Sequence, residues 1–171
     1  MILEFTKRVD AKAPTRANPS DAGLDVFYCP SDPDISAVKI EPNKNMMLGT
    51  GLKFGIPHGY MLQACNRGSM GAKRSLIVGA HIIDSGYDGE VFIDLHNIGN
   101  ETQFIEKGAK IAQLVLVPVV HFRAREEESG LLYYEDITMS NRGAGALGST
   151  NEDSERPKKN DSIKQYIPNG F

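Results

Sequence analysis

The sequence is informative first for what it lacks. No apolar run approaches the length of a membrane span, and residues 1–7 do not read as a signal peptide. No membrane partner is indicated, and a cytoplasmic protein is expected. Cysteine is scarce. Cys29 and Cys65 have no metal-ligand spacing and read either as free thiols in a reducing compartment or as one bridge. Surplus positive charge is also missing: 19 Lys and Arg stand against 22 Asp and Glu, a net charge of −3. General attraction to nucleic acid is therefore not expected. An anionic substrate would have to be held by local Lys, Arg and backbone amides, together with a divalent cation. Repeats are absent, and helical patterning amounts to one short helix at most.

What is present is a run of short strand-like segments with turn signals every eight to twelve residues. The 171 residues suit one domain, with 40% apolar and 24% charged residues. Residues 1–7 alternate as a half-buried strand does. Residues 24–28 are strand-like, with Asp25 at the entry. Residues 38–41 and 45–48 are expected to form a hairpin through Pro42-Asn43-Lys44. The run 110–120 is rich in β-branched residues and reads as a buried strand that Gln113 interrupts. A buried amide needs partners, so Gln113 is either a hydrogen-bonding core residue or a ligand contact. The pattern predicts an all-β fold, a barrel or sandwich of jelly-roll type.

The stretch 78–93 carries the chemistry. Apolar segments flank the corner Gly79-Ala80-His81, which has little side chain, so a flat ligand can approach its backbone. Asp84 closes the short run Ile82-Ile83, and Tyr87 offers a flat ring three residues on. A second corner, Tyr87-Asp88-Gly89-Glu90, contains an Asp-Gly turn signal. A bare backbone corner, a fixed carboxylate and an aromatic plate suit a planar ring with hydrolysis nearby. Upstream, Ser69 in Arg67-Gly68-Ser69-Met70 is placed to cap a short helical turn beside Arg67, a natural anion site. Downstream, Asn141 to Thr150 packs three glycines, two hydroxyls and Arg142 into ten residues, a loop able to form an anion nest. Residues 151–171 read as a polar, flexible tail.

Taken in order, five stretches resemble the five motifs of the homotrimeric dUTP pyrophosphatases of phage or bacterial type. They are Ser20 to Asp25, Arg67 to Met70, Ile83 to Glu90, Gly108 to Leu114 and Arg142 to Thr150. The resemblance spans roughly residues 1–150 and implies a jelly-roll-like β-barrel over 1–140. Residues 141–150 would be a Gly-rich arm that reaches a neighbouring active site. It implies a homotrimer with shared sites that hydrolyses dUTP to dUMP and pyrophosphate with Mg²⁺. That activity limits uracil in DNA and supplies dUMP for dTMP synthesis.

Residue by residue, the resemblance implies that Asp84 is the general base for water attacking the α-phosphorus. Gly79, Ala80, His81 and Ile83 would meet the uracil, and Tyr87 would pack under the deoxyribose. Arg67, Gly68, Ser69, Gln113, Arg142, Gly148, Ser149 and Thr150 would hold phosphate. Asp25 would lie near the metal and its waters, with Mg²⁺ held mainly by the substrate's phosphates. Two departures stand out. Gly68 separates Arg67 from Ser69, where the family has the serine next to the arginine. Leu147 stands where the family has a phenylalanine over the uracil, so weaker closure is expected, unless Tyr166 or Phe171 supplies the ring. Two alternatives remain: a deaminase of dCTP on the same fold, which would use a glutamate, and a trimeric phage regulatory or binding protein.

Overall fold

The computed structural model describes residues 1–128. Two compact units divide the chain, Met1–Phe122 and Arg123–Phe171. The first is described whole. Of the second only residues 123–128 are, with no strand or helix and an ion pair between Arg125 and Glu127 at 3.7 Å.

In chain order the first unit contains β1 (Glu4–Lys7), β2 (Leu24–Phe27), β3 (Ala37–Ile40), β4 (Asn45–Gly49), β5 (Leu52–Gly55) and β6 (Tyr60–Cys65). Then follow α1 (Gly68–Arg74), β7 (Leu76–Val78), β8 (Ile82–Ile83), β9 (Phe92–Asn97), β10 (Gln103–Glu106) and β11 (Lys110–Pro118). The fold is all-β of jelly-roll type, with one short helix among the described residues. A four-stranded sheet runs β2-β11-β6-β8 and a three-stranded sheet runs β4-β9-β7. Two further pairs, β1-β5 and β10-β3, complete it, and every pairing is antiparallel.

Alternation along the strands builds the core. In β9, Ile93, Leu95 and Asn97 point inward while Phe92, Asp94 and His96 do not. Ile93 and Leu95 join Leu48, Leu76, Val26, Leu62, Ile111 and Leu114 in one buried cluster fed by both larger sheets. Asn97 is the polar member of that inward row, and each of its groups is satisfied. Its Nδ2 donates to the carbonyls of Ile40 at 2.9 Å and Glu101 at 2.8 Å, and its Oδ1 accepts from Gly99 N at 3.0 Å.

Local sequence signals located the strands better than their partners. The segments expected to form a hairpin through Pro42-Asn43-Lys44 do not pair: β3 pairs with β10, and β4 with β9. The apolar segments around Gly79-Ala80-His81 do not pair with each other either, since β7 joins β9 and β8 joins β6. The corner is thus a crossing between two sheets rather than a hairpin turn. The positive φ of the following loop falls on Gly86, at 88°, rather than on the Asp-Gly pair at 88–89. Both cysteines are free.

Candidate active site

One end of the site gathers charge. Asp25 on β2 lies opposite Gln113 on β11, and Gln113 also lies opposite Cys65 at the end of β6. Arg67 Nε donates to Asp25 Oδ1 at 2.8 Å and Lys110 Nζ to Asp25 Oδ2 at 2.7 Å. Lys110 and Gln113 are three apart, so a regular strand would send them to opposite faces. A bulge between Lys110 and Ala112 adds a residue and brings both to the face of Asp25. Burial alone would raise the Asp25 pKa. The hydrogen bonds from Lys110 and Arg67 outweigh it and hold the carboxyl below the usual aspartate range. Among the described residues Arg67 uses only Nε, which leaves the rest of its planar fork for an anion.

Arg67 itself is the N-cap of α1, in extended conformation and with no side-chain capping bond. Ser69, expected to cap, instead lies within the first turn and is exposed. The backbone amides of Met70 and Gly71 turn back to the Arg67 carbonyl, at 3.0 and 3.1 Å. Those of Gly68 and Ser69 have no backbone partner among the described residues and remain available. A Cβ at Gly68 would meet open space, so the inserted glycine answers no local packing demand.

The other end is built from backbone. The corner is pinned on each side: Val78 N donates to Asn66 Oδ1 at 2.6 Å, Gly79 N to Asp94 O at 2.8 Å, and Ala64 N to His81 O at 2.8 Å. His81 Nδ1 lies 2.8 Å from the Ala64 carbonyl. Between these pins the Ala80 amide and the carbonyls of Gly79 and Ala80 have no partner among the described residues. Rigid and unpaired, they can read the edge of a flat ring. Ile83 packs against the core from β8. Tyr87 is held with its ring folded over Gly89, where any Cβ would collide with it, and its hydroxyl donates to the Glu90 carbonyl at 2.9 Å. Glu90 in turn accepts from Gly51 N at 2.8 Å.

Asp84 is exposed at the end of β8, and its carboxylate has no hydrogen-bond partner among the described residues. Its backbone carbonyl accepts from Tyr87 N at 3.3 Å, closing the turn that carries both side chains. The register Leu62↔Ile83 and Gln63↔Ile82 sets Asp84 level with Met61, six residues before Arg67. Asp84 thus lies toward the start of β6 and Arg67 beyond its end, while the corner is tied to Asn66.

Among the described residues no three His, Cys, Asp or Glu converge to hold a metal ion. Both Asp25 oxygens are taken by cations. This donor set fits an ion carried in by phosphate oxygens and water, with Asp25 at most touching its waters, and does not fit an all-protein cage.

Three positions were missed by sequence reasoning. Asn66 joins the parts, accepting from Val78 N through its side chain and from Gln113 Nε2 through its carbonyl at 2.9 Å. Its only signal is its place beside Arg67. Lys110 and Glu90 carry no local signal, because their roles depend on strand register. Arg142, Leu147, Gly148, Ser149 and Thr150, with the tail residues Tyr166 and Phe171, lie outside the described residues.

Comparisons with known proteins identify the family. A family model described as dUTPase matches residues 9–151. The deoxyuridine 5'-triphosphate nucleotidohydrolase of Hahella chejuensis is 34% identical over 155 residues, covering 88% of this chain and 95% of that protein. That of Chlamydia muridarum is 33% identical over 141 residues, covering 81% and 90%. The solved Staphylococcus bacteriophage 80alpha dUTPase with dUPNHPP superposes with a TM-score of 0.72 at 26% identity, covering 86% of this chain and 97% of that one. Order of motifs, fold and relatives converge, and the chain belongs to the dUTPase family.

Proposed function

We propose that the chain hydrolyses dUTP to dUMP and pyrophosphate at a site in which Asp84 is the general base. The dUTP diphosphatase activity follows from the family. The observation that carries the assignment of residues is the pinned corner with its unpaired backbone groups, followed at once by Asp84 and Tyr87. Uracil offers a donor at N3 between two carbonyls, and cytosine reverses that order at N3 and C4. A fixed row of amide and carbonyl groups at Gly79 and Ala80, with His81 and Ile83 beside it, discriminates between them. The Tyr87 ring, immobilised by its hydroxyl and by Gly89, packs under the deoxyribose and leaves no room for a 2′-hydroxyl.

Asp84 accepts a proton from a water whose oxygen bonds to the α-phosphorus. The bond from that phosphorus to the bridging oxygen breaks, and pyrophosphate leaves. Arg67 receives phosphate oxygens on its free fork, the amides of Gly68 and Ser69 add donors, and Gln113 holds the floor through Asn66. Mg²⁺ on the triphosphate would neutralise charge on the phosphate oxygens as the leaving group departs. Asp25 keeps Arg67 and Lys110 in place and would lie near the waters of that ion.

The separation of Asp84 from Arg67 along β6 supports a site shared between copies. A general base must reach the water beside the phosphorus, and the register of β8 on β6 sets Asp84 toward the end of β6 opposite to Arg67. A homotrimer in which Asp84 of one copy faces Arg67 of another meets this requirement. In that assembly residues 141–150 serve the site of a neighbouring copy. Arg142, Gly148, Ser149 and Thr150 of the arm add phosphate contacts, and Leu147 covers the base. The enzyme works in the cytoplasm of a bacterium or phage-infected cell.

The test is Asp84→Asn, an isosteric change that removes the base. Pyrophosphate release from dUTP is expected to fall by on the order of a thousandfold, while binding of a non-hydrolysable dUTP analogue stays within a fewfold. Retained turnover would reject Asp84 as the base.

A further inference from the structure

Behind the corner lies a second group of polar side chains to which the reaction just described gives no role. Asp94 and His96 project from the outward face of β9. His96 Nε2 lies 2.8 Å from Asp94 Oδ2, and Asn45 Nδ2 of β4 donates to Asp94 Oδ1 at 2.8 Å. Both carboxylate oxygens are therefore engaged. The pair presses on Gly79 from behind: a Cβ there would collide with His96 Nε2 and Asp94 Oδ2. The Asp94 backbone carbonyl meanwhile accepts from Gly79 N. Gly79 thus has one side against this pair and its own carbonyl open toward solvent. Hydrogen bonds from Asn45 and His96 also hold the Asp94 carboxyl below the usual range against the opposing effect of burial.

We propose that Asp94 and His96 are a positioning pair for base recognition, a rigid wall that fixes the Gly79 carbonyl and Ala80 amide at the spacing the uracil edge requires. The inference rests on the reading of this corner as the uracil site. Its physical basis is pre-organisation. A corner of small residues is intrinsically loose, because nothing in Gly79 or Ala80 resists movement, and ordering it on binding would weaken affinity. Side chains locked by charge-assisted hydrogen bonds remove that freedom beforehand. The pair touches neither the phosphates nor the water, so it acts on affinity and base choice and not on the chemical step.

The experiment compares His96→Ala and His96→Gln in the full chain, measuring KM and kcat for dUTP and dCTP and the melting temperature. His96→Ala is expected to raise KM for dUTP about tenfold, with kcat within twofold and weaker rejection of dCTP. His96→Gln retains a donor for Asp94 and is expected to restore KM to within about twofold. Gly79→Ala supplies a second, independent check. Its added methyl overlaps the pair, so it is expected to weaken dUTP binding strongly alone and less beside His96→Ala, where the freed carboxylate can rotate away. An unchanged KM in His96→Ala, equal effects of Ala and Gln, a loss confined to kcat, or strict additivity with Gly79→Ala would each overturn the inference. Should Asp84→Asn abolish turnover in the same series while His96→Ala has no effect, the active-site reading stands and this inference alone falls. An unaltered chain that does not bind dUTP overturns both.

Discussion

The two ends of the site are made of different materials. At the phosphate end, Arg67 and Lys110 are preassembled on Asp25 by ion pairs at 2.8 and 2.7 Å. At the proposed base end the available groups are main-chain atoms of Gly79 and Ala80, in a corner held by hydrogen bonds to Asn66, Asp94 and Ala64. Charge recognises what every nucleoside triphosphate shares, and it does so over a distance. Backbone recognises the edge of one base, and only at hydrogen-bond range. On the proposed reading affinity and selectivity are separable, because side-chain charge supplies one and main-chain groups of the corner the other.

Arg67→Ala tests that separation hardest. Losing charge-assisted hydrogen bonds to phosphate is expected to raise KM for dUTP roughly 10- to 100-fold without changing the ratio of activity on dUTP to that on dCTP. A shift in that ratio would mean the two ends are not separate. Gly89→Ala probes the opposite end. The new methyl must displace the Tyr87 ring, so the preference for dUTP over UTP should fall about tenfold, read from kcat/KM for each. Equal losses on both nucleotides would show that the ring does not select the sugar.

The smallest expected effect concerns acid stability. The folded Asp25 carboxyl is held below its ordinary range, so folding binds fewer protons there than unfolding does. Its contribution is fully present above the unfolded-state pKa of about 3.9 and is lost as pH falls below it through the folded value. Asp25→Asn should therefore melt below the unaltered chain at neutral pH, with the gap closing below about pH 4. A gap that persists or widens in acid would contradict the assignment.

Local residue patterns made the corner legible. Gly79-Ala80-His81, Asp84 and Tyr87 stand within nine residues, and their chemistry needs no distant partner to be suspected. What surrounds them was not legible. Whether β7 and β8 pair depends on β9 and β6, and no short-range signal carries that information. The charge cluster was half visible: Asp25, Arg67 and Gln113 stood out as residues, but Lys110 joins them only because a bulge shifts its face. The bulge contains no glycine to announce it. Ser69 looked like a cap because serine usually is one there, yet Arg67 takes that position and the helix starts two residues earlier, at Gly68. Asp94 and His96 carry no local signal, and only their overlap with a Cβ on Gly79 draws notice to them.

Pyrophosphate release by the unaltered chain with Mg²⁺, compared across dUTP, UTP, dCTP and dTTP, tests the central claim most directly. The account predicts rapid release from dUTP alone, with the other three slower by at least about a hundredfold. Comparable release from all four, or ammonia from dCTP in place of pyrophosphate from dUTP, would contradict it.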